Sequence, residues 1–107
     1  MILGGSSLAV DCQSAGGHIG GQPASVVRQV TLQGDRLSLT GGFDNSSVLS
    51  CTPLTPGLFC QGEVGRLQAT VIVNGSNLLE SIADATSHKE WVGLSYVCDR
   101  PLELTAR

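Results

Sequence analysis

Cysteine, histidine and the acids are the residues of this 107-residue chain best suited to chemistry, and their spacing narrows what they can do. Asp84 and His88 stand one helical turn apart, so on a helix they would share a face as an acid and base pair, with Glu90 close by. Such a pair would suit a small hydrolase-like enzyme; the plainer reading, and the favoured one, is a solvent-facing ion pair near a helix end. No serine or cysteine sits in a nucleophile elbow. His18 lies in Ala15-Gly16-Gly17-His18-Ile19-Gly20-Gly21, which reads as a flexible loop; its glycine pairs do not follow the phosphate-cradling G-x-G-x-x-G spacing.

The cysteines are Cys12, Cys51, Cys60 and Cys98, with no C-x-x-C among them. A structural zinc site draws its ligands in close pairs, so two disulfides are the better reading and no metal or cofactor is expected. Of the three possible connectivities, Cys12 with Cys98 and Cys51 with Cys60 is favoured, because Cys12 and Cys98 fall on the apolar faces of two alternating stretches. Loop closure then contributes about 4.5 kcal/mol for the long ring and about 2.5–3 kcal/mol for the short one. Such bridges persist in oxidising compartments, which points to a secreted, periplasmic or cell-surface protein.

The short ring, Cys51 to Cys60, is the most specific feature of the chain. Pro53 and Pro56 restrict its conformations before any encounter, and Leu54, Leu58 and Phe59 offer apolar contacts. Thr52, Pro53, Leu54, Thr55, Pro56, Leu58 and Phe59 are therefore the expected partner-binding residues, the plainer alternative being a turn whose leucines fold back onto the core. In its Cys51-Thr52 opening and its Thr55-Pro56 the ring is similar to the reactive loop of Bowman-Birk protease inhibitors. It departs from that pattern in placing Pro53 at the primary specificity position and in being one residue longer. Tyr96-Val97-Cys98 likewise resembles the Tyr-x-Cys of immunoglobulin domains, although Trp91 stands just before the second cysteine rather than after the first. Core packing accounts for Tyr96 and Cys98 as well.

Composition limits the function classes. Charged residues make up 14%, against about 25% in an average soluble domain, and the net charge is -3. Six scattered Lys and Arg give no stripe for a phosphate backbone, so no nucleic-acid partner is expected. No apolar run reaches the roughly 18 residues of a membrane-spanning helix, and the first ten residues lack the form of a signal peptide. Two sequons, Asn45-Ser46-Ser47 and Asn74-Gly75-Ser76, lie in expected turns.

The elements that must position these residues are mostly strands. Val26 to Thr40 alternates around Gly34-Asp35, a two-residue turn with Gly first that sets Val30 against Leu39 and Leu32 against Leu37. Ser7 to Cys12 alternates with Leu8, Val10 and Cys12 on one face, and residues 13 to 25 read as a long loop. Ser47 to Cys51, Glu63 to Val73 and Trp91 to Cys98 are further strands, and Leu102 with Leu104 suggests a last edge strand. Residues 74 to 90 carry competing signals. Asn74-Gly75 favours a hairpin, whereas Asn77-Leu78-Leu79-Glu80 has capping-box form and Leu78, Leu79, Ile82, Ala83 and Thr86 follow a helical stripe, which predicts a short helix over about 78–87.

The expected fold is a single mostly β domain over 1–107: an antiparallel β-sandwich or partly closed barrel of about seven short strands, with one short helix near 78–87. The expected function is an exported, non-catalytic binding or inhibitory module that recognises a protein partner through the 51–60 loop. The alternative is a structural or assembly subunit of a surface or envelope complex, its edge strands pairing with neighbours. A small hydrolase-like enzyme using Asp84 and His88 comes third.

Overall fold

The hairpin signal at Gly34-Asp35 survives intact in the computed structural model, which describes residues 7–43, 46–54 and 57–102. Val30 faces Leu39, Thr31 faces Ser38 and Leu32 faces Leu37, with Gly34 at φ +61° opening the turn. The hairpin is part of a sheet of nine strands among the described residues: β1 (Ser7–Ile19), β2 (Gln22–Pro23), β3 (Val27–Gln33), β4 (Arg36–Thr40), β5 (Ser47–Leu54), β6 (Gly57–Val64), β7 (Leu67–Asn74), β8 (Asn77–Asp84) and β9 (Glu90–Cys98). From β3 to β9 each strand pairs antiparallel with the next. β1 pairs with β3 through Ser7 to Gln13 and with β9 through Cys12 to Ile19, so the sheet closes into an eight-stranded barrel, with β2 added to β1.

Closure is complete, and it draws on two segments for which the sequence suggested other structure. Residues 13 to 25 are mostly strand rather than loop. β1 runs on to Ile19 through a bulge between Ser14 and Gly16, and Gly17 lets it lie close to β9: a Cβ there would stand 2.0 Å from the Gly93 carbonyl oxygen. The short helix expected near 78–87 is absent: Asn77–Asp84 is strand β8, and residues 85–87 form a turn. The β7–β8 hairpin turns on Gly75-Ser76, with Gly75 at φ +65° in the first central position, and Asn74 pairs with Asn77. Leu78, Glu80 and Ile82 then point inward while Leu79 stands out.

Two smaller differences follow from turns. The stretch Glu63 to Val73 divides between β6 and β7 at Gly65-Arg66, where Val64 pairs with Leu67. Leu102 is buried and its amide bonds the Gly75 carbonyl oxygen at 3.0 Å, but it belongs to no strand; Leu104 lies outside the described residues.

The barrel interior is filled by Val10, Val30, Leu37, Leu39, Leu49, Val71, Leu78, Ile82 and Leu94, each no more than 3% exposed. An eight-stranded barrel has an interior just wide enough for such side chains to fill. Outward positions carry mostly uncharged polar residues, among them Thr31, Ser38, Thr70, Ser81 and Ser95. This is the reverse of the outward apolar band of a membrane barrel. No helix among the described residues is long and apolar enough to cross a membrane.

Candidate functional site

Both expected disulfides are present, and each joins residues directly opposite one another on paired strands: Cys12 on β1 with Cys98 on β9, and Cys51 on β5 with Cys60 on β6. The ring closed by Cys51 and Cys60 is therefore a hairpin rather than a free loop. Its Cα atoms lie 4.0 Å apart, the close spacing of a pair that exchanges no backbone hydrogen bonds. β4 begins with Arg36 opposite Ser50, so among the described residues β5 beyond Ser50 pairs with no strand on that side. The one amide there, that of Cys51, donates to the Asp35 carbonyl oxygen at 2.7 Å. Two residues on, Pro53 turns the same edge outward and has no amide to offer, so at that position an incoming strand meets no donor.

The register assigns the seven expected contact residues to different places. Thr52, Pro53 and Leu54 are exposed, Leu54 by 52%. Leu58 lies in the core at 4% exposure, while its neighbour Phe59 faces outward and is half-buried. Thr55 and Pro56 lie outside the described residues. Phe59 pairs with Thr52 on one side and Ile72 on the other, and Ile72 pairs with Leu79. Ile72 and Leu79 are 40% and 54% exposed, so the three neighbouring strands β6, β7 and β8 carry an apolar row that begins at the stapled hairpin. Neither Ile72 nor Leu79 is marked by its local sequence. Only the pairing register brings them beside Phe59.

Inside the barrel lies a charged group that the motifs did not single out. Arg28 on β3 and Glu80 on β8 are wholly buried, with Nη2 and Oε2 3.5 Å apart. Tyr96 on β9 donates its hydroxyl to Glu80 Oε1 at 2.6 Å, and Arg28 Nη1 donates to the Gly41 carbonyl oxygen at 2.8 Å. Burial raises the Glu80 carboxyl above its ordinary value, against the opposing Tyr96 hydrogen bond and Arg28 charge. Burial and the neighbouring Glu80 also push the Tyr96 phenol up. The guanidinium covers the Phe43 ring at 4.2 Å, and Phe43 meets Trp91 edge to face at 6.2 Å. The interior pair is thereby linked to the rim where β8 turns into β9.

That rim holds the acids and histidines. Asp84 ends a strand, so it does not share a helical face with His88. Its Oδ1 accepts the amides of Thr86 and Ser87 at 2.8 Å, and the Ser87 and Thr86 bonds hold its carboxyl below the usual value. His88 takes a left-handed φ of +63° within this turn, and its amide bonds the Asp84 carbonyl oxygen. The carboxylate of Asp84 is thus a cap on the turn.

Glu90 has a more elaborate setting. Gly93 faces Ser81 on β8 and His18 on β1, and the absent side chain leaves space into which Glu90 folds back. A Cβ on Gly93 would stand 2.7 Å from Glu90 Oε1 and 3.0 Å from His18 Nε2. Ser81 Oγ donates to Glu90 Oε2 at 2.8 Å, and His18 Nε2 lies 3.0 Å from Oε1. The Ser81 and His18 bonds lower the Glu90 carboxyl. The carboxylate stands between hydroxyl and imidazole, whereas serine activation needs the imidazole in the middle. Among the described residues, no group of three or more metal-ligating side chains converges.

The chain matches no protein-family model, no curated protein and no solved structure.

Proposed function

We propose that this protein is an exported, non-catalytic binding module that engages a protein partner through the stapled β5–β6 hairpin and the apolar row leading from it. The observation that carries the reading is the register Phe59–Ile72–Leu79, next to Thr52 of the stapled hairpin, which sets three partly exposed apolar side chains side by side on paired strands. A closed barrel and a cross-strand disulfide hold that surface in place before any encounter, which lowers the ordering cost of association. Leu54 and Phe59 are its central contacts, and Leu58 serves the core instead. Two disulfides in a small domain suit an oxidising compartment and support the export reading. The non-catalytic reading is supported by four cysteines taken up in disulfides and by Asp84 acting as a turn cap.

Immobilised wild-type protein and the Leu54→Asp/Phe59→Ser variant, each presented with proteins of the native extracellular fluid, test the reading. A discrete partner held by the wild type and lost by the variant, with Arg100→Ala as a control, is the expected result. Identical capture by all three proteins would remove the hairpin and its row from the account. Self-association abolished by the same variant, seen by analytical ultracentrifugation, would support assembly as a subunit through this face.

A further inference from the structure

The rim opposite the stapled hairpin carries a cleft of about 580 Å³ between the β1–β2 turn and the β8–β9 loop. His18, Gly20, Asp84, Lys89, Glu90 and Trp91 contribute to its lining. Trp91 is the sole tryptophan of the chain and remains 37% exposed. It is nonetheless fixed from several directions. Its carbonyl oxygen accepts the Gly20 amide at 2.7 Å, and Phe43 meets its ring edge-on, itself held beneath Arg28. Gly20 has no side chain to cover the indole edge; a Cβ there would come to 3.6 Å from Nε1. The ring is a rigid, partly uncovered platform.

Around that platform the polar groups are already oriented. Ser81 and His18 hold the Glu90 carboxylate, and the Thr86 and Ser87 amides hold that of Asp84. A carboxylate has about four acceptor sites, so both keep acceptor capacity beyond these bonds. Lys89 adds a donor. We infer that this cleft binds a neutral saccharide unit, its C–H face laid on Trp91 and its hydroxyls shared between Glu90, Asp84 and Lys89. A phosphate or carboxylate ligand would meet two acids against one lysine. A purely apolar ligand would strip water from three charges and return no hydrogen bond. A sugar ring both donates to the acids and accepts from the ammonium, and it offers an apolar face to the indole.

Because Trp91 is the only tryptophan, fluorescence excited at the red edge of indole absorption, where Tyr96 does not absorb, reports on this cleft. The probes are the methyl glycosides of glucose, galactose, mannose and N-acetylglucosamine, each titrated to about 100 mM, with tetramethylammonium chloride as the cationic control. A saturable emission change with at least one glycoside is expected. It should weaken about tenfold or more in Glu90→Gln and in Lys89→Ala, both checked for an unchanged far-ultraviolet spectrum. The Leu54→Asp/Phe59→Ser variant should respond as the wild type does, which separates this site from the hairpin surface. No saturable change with any glycoside, saturation by tetramethylammonium only, or full retention of glycoside binding in both cleft variants would each overturn the assignment.

Discussion

Arg28 and Glu80 face one another across the barrel interior, 3.5 Å apart and both shut away from water. Desolvating two charges costs several kcal/mol each, and their attraction offsets this only while both partners remain. Arg28→Met leaves a buried carboxylate without its counter-charge and should cost about 3–5 kcal/mol at neutral pH. The triple replacement Arg28→Met/Glu80→Leu/Tyr96→Phe removes every member of the group together and should recover most of that loss. Urea denaturation of the single and triple variants decides the matter. A triple variant no more stable than Arg28→Met would show that the three residues do not act as a unit.

Gly17 and Gly21 both adopt positive φ, yet they predict different costs. Gly21→Ala meets nothing within 4 Å and should lose about 1–2 kcal/mol from backbone strain alone. Gly17→Ala drives a methyl group into the Gly93 carbonyl oxygen, where β1 closes the barrel on β9, and should lose more than about 3 kcal/mol. Equal losses for the two variants would mean that β1 and β9 part without consequence. The comparison is read from urea midpoints at constant m-value.

The same residues explain how much of the fold was legible in the chain. The β3–β4 hairpin, both disulfides and β9 follow from alternation and turn chemistry, which act within a few residues. β8 was obscured because its middle inward position is Glu80. A charged residue at the core phase breaks the period-2 pattern, and the remaining leucines and isoleucine then fit a helical stripe as well. What makes Glu80 tolerable inside is Arg28, half the chain away, so the missed strand and the missed charge pair have one cause. Arg28 shares the phase of Val30 and Leu32 in a hairpin whose register was plain, so its inward direction was available from alternation alone. The glycine-rich extension of β1 was obscured for a different reason. Glycine disfavours strands locally, and here it is required by the proximity of β9, which no local pattern reports. The apolar row at Phe59, Ile72 and Leu79 likewise exists only through register.

Removing the disulfides separately should distinguish staple from surface. Cys12→Ser/Cys98→Ser opens the longer ring, which spans the barrel closure, and should lose about 4.5 kcal/mol. Cys51→Ser/Cys60→Ser should lose about 2.5–3 kcal/mol, since only one hairpin is released. Partner binding should follow the opposite order, because Thr52, Leu54 and Phe59 depend on the second bridge for their register. Thermal and urea unfolding measure the first ordering, and surface plasmon resonance with the captured partner measures the second. Equal effects in both assays would dissolve the distinction.

Acid should act on Glu80 and Glu90 with opposite signs. Glu90 is held below its ordinary value of 4.5 by Ser81 and His18, so its contribution is present above that pH and is lost as pH falls through the folded value. The stability advantage of the wild type over Glu90→Gln should therefore narrow in acid. Glu80 is held above 4.5 by burial, so its contribution is complete below 4.5 and is lost as pH rises through the folded value. The wild type should accordingly gain on Glu80→Gln as pH falls toward 4.5. Glu90 lies at the exposed rim, where solvent screens the interaction and keeps its effect small, whereas Glu80 is buried and should dominate the profile. Urea unfolding of the three proteins between neutral pH and about pH 3 gives both trends directly. Profiles of both variants running parallel to that of the wild type would show that neither carboxyl changes its proton affinity on folding.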